Sequence, residues 1–305
     1  MKKTNLILLV LMCLSSVTLA QQEPIYANYL TNPILINPAY TGLNNRLSVN
    51  ANYRTQWASF DDAPETFVFS AHSSFFNNRV SGGLIILNDR LGVTSNTEVN
   101  LSYGYKLELG GGAKISAGLQ FGVQNYRDDY NELDFFGGEQ DVLFQENESF
   151  TQFNFGTGII FTTPNLFLGL SIPRLLEQDV DASQFSSTVF NRHFYVSAAY
   201  LITSLYPIEL KPAIVYRGIE GAPASIDYSI TAIYQEMFQF GILSRNFNTY
   251  GIQAGLRWKD NFHFTYTFEV PTDENSVGSN FTTHEISVQA NFAIFTFQGL
   301  ERIVF

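Results

Sequence analysis

A two-residue alternation runs through "AKISAGLQFGVQNYR" (113–127). Ile115, Ala117, Leu119, Phe121 and Val123 fall on one side, and Lys114, Ser116, Gly118, Gln120, Gly122 and Gln124 on the other. Only a strand sorts neighbouring residues this way, because successive side chains point to opposite faces. The same pattern predicts strands at 46–54, 65–75, 79–88, 97–109, 113–127, 150–162, 165–172, 192–203, 206–217, 224–235, 238–245, 249–258, 261–270 and 283–294, which makes 14, an even number. In "NFHFTYTFEV" (261–270), Phe262, Phe264, Tyr266, Phe268 and Val270 share one face, opposite His263, Thr265, Thr267 and Glu269. No stretch keeps a helical period. The question is whether the apolar rows look at a protein core or at lipid.

Three features favour lipid. Alternate links are tight, as at 77–78, 110–112, 163–164, 204–206, 236–237 and 259–260. Those between them read as longer: 55–64, 89–96, 128–149, 173–191, 218–223 and 271–282, with only 246–248 out of step. An up-and-down outer-membrane barrel sorts its links by end in this way, whereas a sandwich has no reason to. Aromatic residues flank the tight turns (Phe75, Phe76, Tyr206, Phe238, Trp258 and Phe262), as rings at headgroup level do. The chain also opens like an exported one: Lys2 and Lys3, the apolar run 6–14, then "VTLA" ending at Ala20. That is the layout of a cleaved secretory signal, and the run is too short to span a bilayer. The fold class expected is therefore all-β, a transmembrane antiparallel up-and-down barrel of about 14 strands in the outer membrane of a Gram-negative bacterium. Residues 1–20 would be the signal peptide, 21–45 an N-terminal extended segment, and 46–305 the barrel.

Charge narrows the partners. Of 17 basic residues two lie in the leader, which leaves 15 against 28 acidic ones, about −13. Nucleic acid is excluded, since it requires clustered positive charge. The single Cys13 sits in the leader, so neither disulfides nor cysteine metal sites are expected. The polar faces would line a lumen carrying Glu98, Lys106, Glu108, Lys114, Gln120, Glu209, Lys211, Arg217, Arg257, Glu269 and Glu285. Fourteen strands leave room inside for water or for a segment folded in.

Segment 21–45 is the candidate for that role. "TNPILINPAYTG" (31–42) holds two Asn-Pro pairs, and the residue before a proline avoids the helical region. Asn37-Pro38, followed by Tyr40 and Gly42, reads as a rigid turn feeding strand 1, either an ordinary lead-in or a plug or docking element at the periplasmic mouth. In "NYRTQWASFDDAPET" (52–66), Arg54 and Asp61 are placed to pair across the loop, with Trp57 and Phe60 over the rim. Chemistry of other kinds finds no support. The four histidines (72, 193, 263 and 284) are scattered, the acidic stretch 127–149 lacks EF-hand spacing, and no serine stands in a GxSxG elbow. No catalytic, cofactor or metal residues are expected, and the protein is read as a non-enzyme. The end of the chain, "FTFQGLERIVF" (295–305), closes on an aromatic as barrel assembly signals often do, although the last strand is expected to finish earlier.

The sequence resembles the PorP/SprF family of type IX secretion and gliding-associated outer-membrane proteins. The resemblance rests on Asn32-Pro33, Asn37 to Gly42, Tyr53-Arg54, Gln56-Trp57, Asp62 to Pro64 with Thr66, Asn88-Asp89 with Gly92, and Ser102 to Tyr105, all in the family's order. It implies association with type IX secretion components, support for export of a large adhesin, and surface anchoring through the adhesin's C-terminal domain. On that reading Asn37, Pro38, Tyr40, Gly42, Arg54, Trp57 and Asp61 are partner-binding candidates, and membrane lipid is the other partner. The alternative is an outer-membrane pore or solute channel.

Overall fold

A computed structural model describes Tyr29 and residues 31–60, 62–130, 147–176, 178–182, 186–190, 192–219, 222–259, 261–272 and 281–298. Residues 1–20, expected to be a signal peptide, Asp61 and the core of the acidic stretch, 131–146, lie outside the described residues. Sixteen strands run in chain order: β1 (Leu47–Thr55), β2 (Glu65–Phe75), β3 (Val80–Leu91), β4 (Thr94–Gly110), β5 (Ala113–Asp128), β6 (Glu148–Thr162), β7 (Leu166–Arg174), β8 (Gln178–Ala182), β9 (Ser186–Phe190), β10 (His193–Tyr200), β11 (Ile208–Ile219), β12 (Ala222–Tyr234), β13 (Phe238–Arg245), β14 (Thr249–Trp258), β15 (Phe262–Pro271) and β16 (Thr283–Phe292). Fourteen of them form one closed antiparallel barrel, each beside its neighbour in sequence, with β16 returning to β1. β8 and β9 make a separate hairpin inside the link expected as the loop 173–191.

The ladder explains where the boundaries differ from expectation. β3 and β4 stay paired beyond Asn88↔Thr97 to Leu91↔Thr94, so the link expected at 89–96 shrinks to 92–93. Gly92 makes that turn at φ 55°, a conformation glycine adopts without strain. The sorting of links by end is accordingly weaker than the sequence suggests. Opposite, β10 stops at Tyr200 and β11 begins at Ile208, with a single bridge from Ile202 to Leu210 between them. The two mouths of the barrel differ. One, the turn end, carries 76–79, 111–112 and 235–237, and the other, the loop end, carries the strand ends Thr55, Glu65, Asp128, Glu148, Pro271 and Thr283.

Burial is inside out. Leu101, Tyr103, Leu119, Phe155, Leu170 and Phe240 are exposed on the outer face, with Leu119 at 60%. Ser102, Ser116, Gln120, Gln124 and Glu285 are buried on the inner face. An outer surface this apolar suits hydrocarbon, where every backbone polar group must find its partner within the barrel. At the turn end Phe76, Tyr206, Phe238 and Trp258 stand exposed, with Trp258 against Phe262 at 5.8 Å.

The seam between β1 and β16 is zipped by polar side chains within the lumen. Ser48 Oγ donates to Asn291 Oδ1 at 2.6 Å, Asn50 Nδ2 to Ser287 Oγ at 2.9 Å, and Asn52 Nδ2 to Glu285 Oε1 at 3.0 Å. Beyond β16 the chain turns back at the turn end, where Gln298 Nε2 donates to Ser73 Oγ at 3.1 Å and Ser74 O at 3.0 Å. Asn78 Nδ2 holds Phe297 O at 2.9 Å. Up to Gln298, the tail is thus a clasp on β2.

Lipid exposure of Leu119 is checked by two variants refolded into vesicles under urea. Leu119→Arg should cost about 2–4 kcal/mol near mid-depth. Leu119→Phe, with nothing packed outside it to clash with, should unfold at the wild-type urea concentration. Equal losses for both would place Leu119 in a packed core instead.

Candidate functional site

The site is built on the lumen wall by residues 31–45. Its two Asn-Pro pairs each open a single 3-10 turn, Pro33–Leu35 and Pro38–Tyr40. Proline suits a first helical position because its fixed φ fits and its missing N–H has no partner there to lose. Asn37, extended at φ −141°, caps the second turn by accepting the Ala39 N–H at 3.0 Å. Its Nδ2 reaches the wall, donating to Ile159 O at 3.3 Å and Leu170 O at 3.2 Å. Asn32 Nδ2 donates to Ser70 Oγ at 2.9 Å, Thr41 Oγ1 to Ser102 Oγ at 2.9 Å, and Gly42 N to His72 Nδ1 at 3.0 Å. Lys106 Nζ gathers Gly42 O at 3.3 Å and Leu43 O at 3.5 Å, and also bonds Asn45 Oδ1.

The wall is shaped to receive this backbone. Ser81, Gly104, Gly118, Gly158 and Ser171 are successive register partners across β3, β4, β5, β6 and β7. They form a shallow track of minimal side chains, and residues 36–42 lie in it crosswise to the strands. Ser81 Oγ donates to Thr41 O at 2.6 Å, Ser116 Oγ to Ala39 O at 2.7 Å, and Ser171 Oγ to Ile36 O at 2.6 Å. A Cβ on Gly118 would overlap Pro38 and Ala39, and one on Gly158 would overlap the Asn37 side chain. Beside the track the wall turns apolar: Val68, Ile85, Leu87, Ile160 and Phe167 pack against Ile34, Ala39, Tyr40 and Leu43.

Towards the loop end the lumen carries charge. Arg54 and Glu269 are each 2% exposed and meet at 3.4 Å, and Arg54 Nε lies 3.6 Å from Glu285. Arg245 links Glu269 at 3.4 Å to Asp227 at 3.2 Å. Across the lumen Arg174 pairs with Glu98. A buried charge is costly unless an opposite charge meets it, and here ion pairs join β1, β12, β13, β15 and β16. Among the cavities that the described residues enclose, one measures about 100 Å³ and another about 50 Å³.

The sequence candidates are therefore dispersed. Asn37, Pro38, Tyr40 and Gly42 come together, all buried on the barrel's own wall. Arg54 turns inward to Glu269 and Glu285, and its expected partner Asp61 lies outside the described residues. Trp57 stands at the outer rim, 42% exposed, edge-on to Phe281 at 5.9 Å, and Phe60 stacks on the same ring at 5.1 Å. Lumen positions expected from alternation are mostly buried or half-buried, but Glu108 is exposed at the turn end. Sequence reasoning missed the track, the grip of Lys106 and the role of His72, which sits edge-on to Tyr40 at 5.7 Å. "LIIL" (84–87) held the signal: apolar on both faces, it needs an inner partner as well as lipid.

Two variants test these contacts. Gly118→Val should drive 36–42 off the track, and its planar-bilayer conductance should rise to that of a chain lacking 31–45. Wild-type conductance would mean that the track does not hold the segment. Arg54→Met takes a buried cation from both Glu269 and Glu285 and should cost about 3–5 kcal/mol in urea unfolding. Arg127→Met removes only the 53%-exposed partner of Asp129 and should cost less than about 1 kcal/mol.

Comparison with curated proteins finds no relative. Among solved structures the chain is similar to the CymD monoaromatic hydrocarbon channel, with TM-score 0.52 and 9% identity over 88% of this chain and 94% of that one. It is similar also to the outer membrane protein Omp33 of Acinetobacter baumannii (TM-score 0.49, 8% identity, 83% and 100% covered). A Pseudomonas aeruginosa FadL homologue gives TM-score 0.48 and 8% identity over 82% and 90%. At such identities the likeness to CymD shows the barrel fold alone. The model of the type IX secretion system membrane protein PorP/SprF matches residues 18–290. The chain therefore belongs to the PorP/SprF family, as an outer-membrane β-barrel of a Gram-negative bacterium.

Proposed function

We propose that this barrel holds the C-terminal domain of a large secreted adhesin at the cell surface while the adhesin is exported by the type IX machinery. Family membership supplies the association with type IX secretion. The observation that carries the finer reading is the occupied lumen. Residues 31–45 are fastened across the inner wall by bonds to Ser70, His72, Ser81, Ser102, Lys106, Ser116 and Ser171. They act as a plug, and a plugged barrel serves better as a mount than as a conduit. In this reading the turn end faces the periplasm and the loop end faces outward, lipid surrounds the apolar face, and the barrel performs no catalysis. Trp57 and the neighbouring Asp61 stretch offer the client a rim, as do the links joining β5 to β6 and β7 to β10. The buried candidates Asn37, Pro38, Tyr40, Gly42 and Arg54 contribute by fixing the plug and the rim's base rather than by touching the client.

Deleting 131–146 should move the client from cells into the medium while the barrel stays abundant in the membrane. Client protein in cells and supernatant is measured beside the barrel. The rival reading, a solute pore, draws on the mixed charges of the lumen. Retained client together with steady ion conductance from the purified wild type would replace the anchor with that pore.

A further inference from the structure

The larger cavity lies in the loop-end half of the lumen, with Tyr29, Leu35 and Ile36 among its walls. Glu98 and Asp227 also line it, and each is already matched to an arginine. Glu98 pairs with Arg174 and accepts from Asn100 Nδ2 at 2.8 Å. Asp227 receives Arg245 Nε on both oxygens at 3.2 Å. Of the two arginines that line the cavity, Arg174 and Arg217, the second meets no carboxylate among the described residues. It bonds the Tyr195 hydroxyl instead, and its Nε is buried without a partner. The acidic surplus of the Arg54–Arg245 network is aimed at those two arginines and leaves Arg217 uncompensated. Gln120, from β5, lines the same cavity, and its Oε1 is likewise buried and unpartnered.

An unmatched cation and an unmatched acceptor facing one cavity are a specification. Buried polar atoms are nearly always satisfied, so each exception calls for an occupant. The geometry points to a binding site for a carboxylate that carries an N–H donor close by. Arg217 and the Tyr195 hydroxyl take the carboxylate, and Gln120 Oε1 takes the N–H. A peptide C-terminus has this pairing in its terminal carboxylate and last amide, and so does a free N-acylated amino acid. The cavity, at about 100 Å³, has room for such a group, given roughly 10–15 Å³ for one water. The peptide form rests on the anchoring reading, because it would receive the end of a client docked at the loop end.

The test uses the full chain in detergent micelles and titration calorimetry. The probes are acetate, N-acetylglycine, and pentaglycine with its C-terminus free or amidated. N-acetylglycine and free pentaglycine should bind, amidated pentaglycine should not, and Arg217→Gln should weaken binding at least tenfold. Gln120→Leu should weaken N-acetylglycine while leaving acetate unchanged, and it serves alone if Arg217→Gln does not insert. Binding of N-acetylglycine without free pentaglycine assigns the site to a small acid and overturns its peptide form. No carboxylate binding to the wild type, or equal binding to the variants, leaves a cavity holding water and overturns the inference. Client release on deleting 131–146 is read independently, so either idea can fail without the other.

Discussion

Hydrocarbon offers a backbone N–H or C=O nothing to bond. A sheet crossing a membrane must therefore leave no edge within the apolar layer, and the pairing of β1 with β16 is what removes it. The rest of the molecule depends on that closure. Once the ladder is a cylinder, the apolar row of each strand is assigned to the outside and the other row is confined in a space of fixed size. Register is then strict, since a one-residue slip would exchange the two rows along a whole strand.

The confined space explains the chemistry inside it. A row of serines, asparagines and charged groups removed from bulk water requires partners, and the seam shows one answer in Ser48, Asn50, Asn52 and Arg54 meeting the inner row of β16. The opposite wall gives another answer. There β3 to β7 are pared down to serine and glycine, and the chain's own N-terminal backbone supplies the carbonyls that the hydroxyls need. Small side chains let main chain approach main chain, and the apolar patch around Ile85 and Ile160 then covers Tyr40 and Leu43. Polar matching and shape fit act on the same ten or so residues, roughly the length of one strand.

Much of the barrel could be read from the sequence because a period of two is a local property. Most of the fourteen barrel strands show it within their own residues, "LIIL" (84–87) in β3 being an exception. Ends were less legible: Asp89 to Leu91 look like a loop by composition and become strand only because Thr94 to Asn96 pair with them. The hairpin of β8 and β9 is short and outside the barrel, so the barrel's alternation does not mark it. The lumen was legible in kind but not in pairing. Proximity in sequence could not suggest that Arg54 meets Glu269 and Glu285, more than two hundred residues away on β15 and β16. The track is the extreme case. Gly104, Gly118 and Gly158 are unremarkable alone and acquire meaning only once register sets them side by side.

That track also fixes an order of events. Residues 36–42 lie near the start of the chain, yet their resting place is not complete until β7 has been laid down. The bond from Asn37 to Leu170 spans 133 positions of sequence. While the β1–β16 seam waits for the last strand, the earliest part of the lumen to be synthesised thus waits for β3 to β7 before it can find its contacts. Until then it is a loose leader whose wandering is limited chiefly by Pro33 and Pro38, which hold it bent in advance and lower the entropy lost when it settles.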